Sequence, residues 1–245
     1  MLEKNKIYNG DCLEVMKDID TGSIDMILAD LPYNMTKNKW DKNVIPLDEL
    51  WLQYNRIIKD NGAIVLFAQG MFMAKLIMSN PKMYRYDIIW KKGDRVSGFL
   101  NSKRQFMRNH EQLLIFYKKQ PVYHPQFTEG KPLHGKGKKY LEEQGVNNNY
   151  GKYDTTIKET RKGSTQKYPK SVLNFDKPHP AQHPTEKPVL LCEYLIETYT
   201  NKGELVLDNT CGIGTTCVAA KNIERDYIGI EIDDNWCRIS RNRLK

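Results

Sequence analysis

Several things are scarce in this chain of 245 residues, and each absence removes a class of protein. No apolar run approaches the ~20 residues that a membrane-crossing helix needs. The N-terminal MLEKNKIYNGD lacks the apolar block of a secretory leader. Paired cysteines are missing too. Cys12, Cys192, Cys211, Cys217 and Cys237 are odd in number and scattered, with no C-x-x-C among them, which argues against a zinc cluster or a disulfide framework. His124, His134 and His179 are equally dispersed, so no metal is expected. These absences describe a reduced, cytoplasmic protein.

What is present has a clear sign. The formal net charge is +8, the isoelectric point about 9.1 and the mean hydropathy −0.65. A surplus of this size suggests a polyanionic partner, most often nucleic acid. Hydrophobic residues make up 40% of the chain, enough for a core. The length suits one large domain, or one core carrying an insertion.

SIDMILAD reads as a strand ending at Asp30. Leu47, Leu50, Trp51, Tyr54, Ile57 and Ile58 share one face at helical spacing, with Asp48 and Glu49 in the first turn and Asn61-Gly62 as the stop. AIVLFA from Ala63 is then a short buried strand. A helix follows from Met71 to Met78, with Met71, Met73 and Met78 assigned to the core. YDIIW and QLLIFY are further strands. Near-continuous apolar strands alternating with helices predict a mainly parallel, doubly wound α/β sheet. Residues 118–182 break the pattern. They are rich in Lys, Gly, Asn and Tyr and poor in aliphatics, which marks an insertion between a first half, 1–117, and a second half, 183–245. In the second half Pro188 fits a first helical turn, ELVLD and YIGIEID read as strands, and a terminal helix starts near Asn235.

Two constellations carry chemistry. In ELVLDNTCGIGTTCVAAKNIERDYIGIEID a strand ends in Asp208, a turn holds Gly212 and Gly214, a helix begins, and the next strand ends in Glu231. This is the layout of a nucleotide-cofactor site: glycines admit a ligand close to the backbone, and the second acid can accept from ribose hydroxyls. A tight structural turn is the bland alternative. The dinucleotide fingerprint is incomplete, because Thr215, Thr216 and Cys217 follow Gly214 with no third glycine. A nucleoside cofactor without pyrophosphate fits better, and S-adenosylmethionine is the common one.

The second constellation is LADLPYNMTKNKWD. An exocyclic base amine is a poor nucleophile, because its lone pair is delocalised into the ring. A carboxylate and a carbonyl that both accept from the NH₂ favour the tetrahedral nitrogen. Asp30 offers the first and the Leu31 carbonyl the second. Pro32 stiffens the turn, and Tyr33 offers a face on which an extruded base can stack. A helix cap at Asp30 and a surface Tyr33 are the ordinary alternative.

With these residues in view, the chain resembles the β-group amino-methyltransferases of DNA, of the small kind common in phages and prophages. NGDC at Asn9, DLPY at Asp30, NHEQLLIFYKK at Asn109, HPTEKP at His183, VLDNTCGIGTT at Val206 and YIGIEID at Tyr227 match in kind and order over nearly the whole chain. The resemblance implies a seven-stranded methyltransferase sheet, circularly permuted, and direct methyl transfer from S-adenosylmethionine to N6 of adenine. Asp30, Leu31, Pro32 and Tyr33 would be the catalytic motif. Asp208, Thr210, Gly212, Gly214 and Thr216 would line the cofactor's methionine part, with Asn209 and Thr215 also binding the cofactor; Glu231 would hold its ribose and Asp11 would lie near its adenine. His183, Thr185 and Lys187 would close over it, and Asn109, His110 and Glu111 would border the base pocket. Two departures stand out: Leu31 replaces a proline, and Asn209-Thr210 replaces a Pro-Phe. Dimerisation is common in the group.

Duplex DNA is the expected partner. Lys136, Lys138, Lys139, Arg161 and Lys162 interleave with tyrosines in the insertion, and Lys37, Asn38 and Trp40 follow the catalytic motif. Three rivals stay open. These are N4-cytosine methylation by the same amine chemistry, methylation of RNA or a protein amide, and an inactive nucleic-acid-binding subunit.

Overall fold

A computed structural model describes residues 2–32, 44–132, 146–147, 151–152, 163–180 and 185–245. In chain order the elements are β1 (Lys6–Asn9), α1 (Cys12–Met16), β2 (Ile24–Ala29), α2 (Leu47–Ile57), β3 (Ile58–Ala68), α3 (Gly70–Ser79), β4 (Tyr84–Lys91), a 3₁₀ turn (Phe99–Asn101) and β5 (His110–Phe116). Short strands β6 (Thr128–Glu129), β7 (Val146–Asn147), β8 (Gly151–Lys152), β9 (Gln166–Lys167) and β10 (Val172–Asn174) follow. The chain ends with α4 (Val189–Tyr199), β11 (Leu205–Asp208), α5 (Thr215–Asn222), β12 (Asp226–Glu231) and α6 (Asp234–Arg243).

Eight strands form the main sheet in the order β1-β12-β11-β2-β3-β5-β4-β10. All neighbours pair parallel except β5, which is antiparallel to both β3 and β4. Seven strands were expected. The eighth is β10, whose Val172, Leu173 and Asn174 pair with Ile89, Trp90 and Lys91. It falls in a stretch too poor in aliphatics to signal a strand, and Leu173 alone is buried there. The chain divides into one unit of residues 1–124 with 170–245, and a second of Pro125–Pro169, which lies within the 118–182 stretch. In the second unit β6 pairs with β9 and β7 with β8, and Phe127 packs on Tyr168 with ring centroids 4.9 Å apart.

The sheet buries both faces, which is why its strands read as continuous apolar runs. Along β2, Ile27 and Ala29 join one core with Leu50, Trp51, Tyr54, Phe72 and Leu76. Met26 and Leu28 point the other way, into a core with Leu191, Leu195, Ile196, Ala219 and Ala220. The period of two along the strand assigns each residue its layer.

Two local expectations fail for identifiable reasons. The helix α2 ends at Ile57, not at Asn61-Gly62, and β3 begins directly at Ile58. Gly62 serves the sheet instead: a Cβ there would lie 2.7 Å from the Ile58 Cδ1 and 2.8 Å from the Asp25 carbonyl oxygen. In α3 the buried residues are Phe72 and Leu76, one turn apart. Met71 and Met78 are exposed, and Met73 is partly buried against the core, so the methionines are not the inward stripe.

Candidate functional site

Parallel strands deliver their C-terminal ends to one edge of the sheet, and ligands of open α/β sheets bind at that edge. Here the edge is acidic. β1 runs into Asp11, β2 into Asp30, while β11 and β12 end in Asp208 and Glu231. One pocket is lined by all four acids.

The glycine turn shapes its floor. Gly212 (φ +53°) and Gly214 (φ +76°) occupy the left-handed region. A Cβ on Gly214 would lie 2.1 Å from the Ser240 Oγ of α6, so glycine is required there by contact as well as by backbone. Glu231 is buried, and its Oε2 and Oε1 accept from the backbone N–H groups of Gly212 (2.8 Å) and Asp233 (2.9 Å). Burial pushes its carboxyl above the ordinary range. Asp208 is pushed up to about 7, chiefly by burial, with hydrogen bonds from Thr216 and the Thr210 backbone opposing.

Several expected cofactor residues also hold the site together. The Thr210 Oγ1 donates to the Asp30 carbonyl at 3.1 Å, tying the glycine turn to the DLPY turn. Asn209 is buried; its Oδ1 accepts from the Tyr54 hydroxyl at 2.6 Å, while its Nδ2 has no partner. The Arg243 Nη1 approaches the Thr215 Oγ1 at 3.4 Å, and Nη2 pairs with buried Glu186 at 3.3 Å. Thr216 donates a long bond, 3.5 Å, to the Leu28 carbonyl. Asp11 lines the pocket while its Oδ1 caps α1 through the Leu13 N–H at 2.8 Å.

The Asp30–Pro32 segment reaches the same pocket. Leu31 is in the hydrophobic core at 2% exposure, which accounts for an apolar residue in place of proline. Pro32 lines the pocket. Asp30 forms a close ion pair with Lys187, through Oδ2 and Nζ. Its other oxygen, Oδ1, is buried and without a hydrogen-bond partner. Lys187 also lies 3.6 Å from the Glu111 Oε2 and 4.9 Å from the Phe67 ring centroid, and Glu111 pairs with Lys92 at 2.5 Å. Asp30, Lys187, Glu111 and Lys92 therefore alternate in sign along a nearly buried row. Burial raises the Asp30 carboxyl above its ordinary range, with Lys187 pulling the other way. For Glu111 burial acts upward too, but Lys187 and Lys92 together hold it below its ordinary value.

Of the expected residues, Asp11, Asp30, Pro32, Thr185, Lys187, Asp208, Asn209, Thr210, Gly212, Thr215, Thr216 and Glu231 line this one pocket. Gly214 lies just outside that lining, under the turn. Asn109 and His110 are half-buried beside Glu111, with the His110 Nδ1 3.3 Å from the Asn109 Oδ1. Tyr33, Lys37, Asn38, Trp40, Lys136, Lys138, Lys139, Arg161, Lys162 and His183 fall outside the described residues. Sequence reading missed Phe67, Ile232 and Trp236 in the lining, and the buried pair of Glu186 with Arg243. Only the position of Ile232 and Trp236 just after Glu231 hinted at them. Among the described residues no group of acids, cysteines and histidines is placed to hold a metal, and no helix is long and apolar enough to cross a membrane.

Two acid-ended βα units around one pocket define a nucleotide-cofactor α/β protein. Comparison with known families narrows the class. Residues 24–242 match the family described as DNA methylase, of the N6/N4 type, and the chain belongs to it. It is 26% identical to the Type II methyltransferase M1.MboII of Moraxella bovis over 252 residues, 96% of this chain and 95% of that protein. It is also 26% identical to the DNA adenine methyltransferase YhdJ of Escherichia coli K12, covering 99% of this chain and 83% of that one. The crystal structure of the M1.HpyAVI–SAM complex superposes with a TM-score of 0.64 at 23% identity, over 98% of both chains.

Proposed function

We propose that this chain methylates N6 of adenine in duplex DNA, using S-adenosylmethionine and acting on a base turned out of the helix. The observation that carries the reading is Asp30. It is a half-buried carboxylate with one oxygen held by Lys187 and the other, Oδ1, buried and unpartnered, and it lines the same pocket as the glycine turn.

The polar groups of the pocket suit S-adenosylmethionine on their own terms. Two buried polar atoms in its lining lack partners, an acceptor on Asp30 and a donor, Nδ2, on Asn209. Buried groups of this kind are costly unless something satisfies them. Each oxygen of Glu231 already accepts one backbone N–H and keeps a second acceptor site, which suits ribose hydroxyls. The cofactor, when bound, supplies an electrophilic methyl group on a sulfonium. Thr185, Lys187 and Asp11 line the same pocket; the first two would close over the cofactor, and Asp11 would lie near its adenine.

The chain's own work is done on the base amine. Asp30 Oδ1 accepts one N–H and the Leu31 carbonyl the other, which draws the nitrogen out of conjugation and leaves its lone pair directed at the methyl group. Lys187 holds Asp30 charged and aimed. Tyr33 stacks on the base. The amine proton released after transfer goes to solvent by way of the Asp30 carboxylate. No protein nucleophile is needed, and a hydrogen bond with Cys217, together with burial, pushes the Cys211 thiol well up from its ordinary value, against such a role. The basic segment between 118 and 182 reads the target sequence, on the strength of its charge and aromatic content. The setting is the cytoplasm of a bacterial or phage-infected cell.

The test is nucleoside mass spectrometry of plasmid DNA from a methylation-free host expressing the chain. N6-methyladenine is the expected product. N4-methylcytosine would keep the mechanism and overturn the base, and an unmodified plasmid would overturn DNA methylation.

A further inference from the structure

Between β4 and β5 the chain leaves the site edge of the sheet and returns through residues 92–109. From Asp94 to Met107 every residue is exposed. Phe99 is 74% exposed, Leu100 97% and Phe106 101%. Large apolar side chains gathered in one short loop mark a surface that something covers. The loop is also built, not slack. Ser97 and Arg108 exchange both backbone hydrogen bonds, at 2.7 and 3.0 Å. Gly98 enters the 3₁₀ turn with φ +85°. The Asn101 carbonyl accepts from the Arg104 and Gln105 N–H groups, and the Arg108 guanidinium donates to the Gln69 Oε1 at 2.5 Å. This scaffold holds apolar tips in water.

Charge says what the cover is. The eighteen residues KKGDRVSGFLNSKRQFMR, from Lys91, hold six cations and a single acid, Asp94. A second copy of the same loop would set like charge against like. Duplex DNA has the matching chemistry, phosphates flanking an apolar stack. Position agrees. Lys92 and Glu111, at the two roots of the loop, are paired with each other, and Glu111 lies 3.6 Å from Lys187, the partner of Asp30. The loop therefore rises beside the base pocket.

We infer that this loop is a second DNA contact. Arg95, Lys103 and Arg104 engage phosphates, and Phe106, with Phe99 and Leu100, presses into the base stack next to the displaced base and holds the gap open. Apolar wedges between base steps lower the cost of distorting a duplex. The inference rests on the proposed reaction for the displaced base; contact with duplex DNA is measured without any methyl transfer.

The experiment is fluorescence anisotropy of a labelled 30-base-pair duplex of mixed sequence (about three helical turns), titrated with the full chain across a range of salt. Two variants are compared with the parent, R95A/K103A/R104A and L100A/F106A, with light scattering to give the oligomeric state. All five positions are exposed, so both variants should fold. The triple variant should reduce the slope of log affinity against log salt by about 2.7. The double variant should keep the slope and bind about tenfold more weakly. An unchanged slope in the triple variant, or parent-like affinity in the double, overturns the inference. So does a parent dimer that L100A/F106A turns into monomers of undiminished DNA affinity, which would make the loop a contact between copies. If the plasmid carries no methylated base while the two variants behave as stated, the loop stands and the proposed reaction falls.

Discussion

Lys187 and Asp30 are 157 positions apart in the chain and joined by a close ion pair in the fold. The pair is nearly buried, with side-chain exposures of 10% and 23%, and Glu111 stands on the far side of the ammonium. Removing one member of such a pair strands a charge in a poor solvent. Lys187→Met should cost about 3–5 kcal/mol of unfolding free energy, read by urea titration. It should also move the acid limb of kcat to higher pH. In the proposed reaction Asp30 must be ionised to accept from the amine; its carboxyl is already raised by burial, and the lysine is the main group pulling it down. Loss of the cation therefore raises it further. An acid limb unmoved in Lys187→Met would remove the lysine from the mechanism.

Asp30→Ala separates chemistry from cofactor binding. In the proposed reaction the carboxylate acts on the base amine, whereas the glycine turn and Glu231 hold the cofactor; all of them line one pocket. Methyl transfer should fall by at least about a hundredfold, while calorimetry of S-adenosylmethionine binding shows a near-parental constant. Full activity in this variant would sink the assignment.

Glu231→Ala tests the cofactor contact. The buried carboxylate holds the Gly212 and Asp233 N–H groups and is proposed to hold the ribose. Cofactor binding should weaken by about 1.5–3 kcal/mol, the range for hydrogen bonds to a charged group. An unchanged dissociation constant by calorimetry would refute the ribose role.

Gly214→Ala should destabilise the fold by about 1–3 kcal/mol, from a left-handed φ and from the approach of Ser240. The Ser240 Oγ is the nearest atom to the added Cβ, so Gly214→Ala with Ser240→Ala should recover part of the loss. Thermal unfolding of the four proteins of the cycle measures the coupling, and strict additivity would mean that backbone strain alone matters.

Asp208 makes a prediction about pH. Its folded value of about 7 lies above the ordinary 3.8, so the folded state binds the extra proton between these limits. Its contribution to stability is complete below about pH 4 and is lost as pH rises towards 7, by roughly 4 kcal/mol at most. Asp208→Asn, which cannot ionise, should show a flatter stability profile over that window. Parallel profiles for parent and variant would mean that Asp208 titrates normally.

Much of this architecture was legible in the sequence because it is periodic or local. Strand runs such as MILA and AIVLFA are apolar on both sides because helices cover both faces of the sheet. The face of α2 at Leu50, Trp51, Tyr54 and Ile57 follows from helical spacing alone. Acids at the ends of β2, β11 and β12, and the glycines between the last two, are likewise contiguous signals. By itself, then, the sequence determined the α/β class, the order of its main elements and the positions where a site could be built.

The tertiary structure decided the rest, because it depended on partners far away in the chain. Only pairing against β4 makes a strand of Val172–Asn174. Only the approach of Asp25 and Ile58 explains Gly62, and only packing turns Phe72 and Leu76 inward while Met71 and Met78 face out. The charges at Asp30, Lys187, Glu111 and Lys92 lie in four separate stretches, and nothing local tells which cation meets which acid. That choice belongs to the sheet, which brings the ends of β2, β4 and β5 and the segment before α4 to one buried row, where the low dielectric makes unpaired charge expensive and pairing decisive.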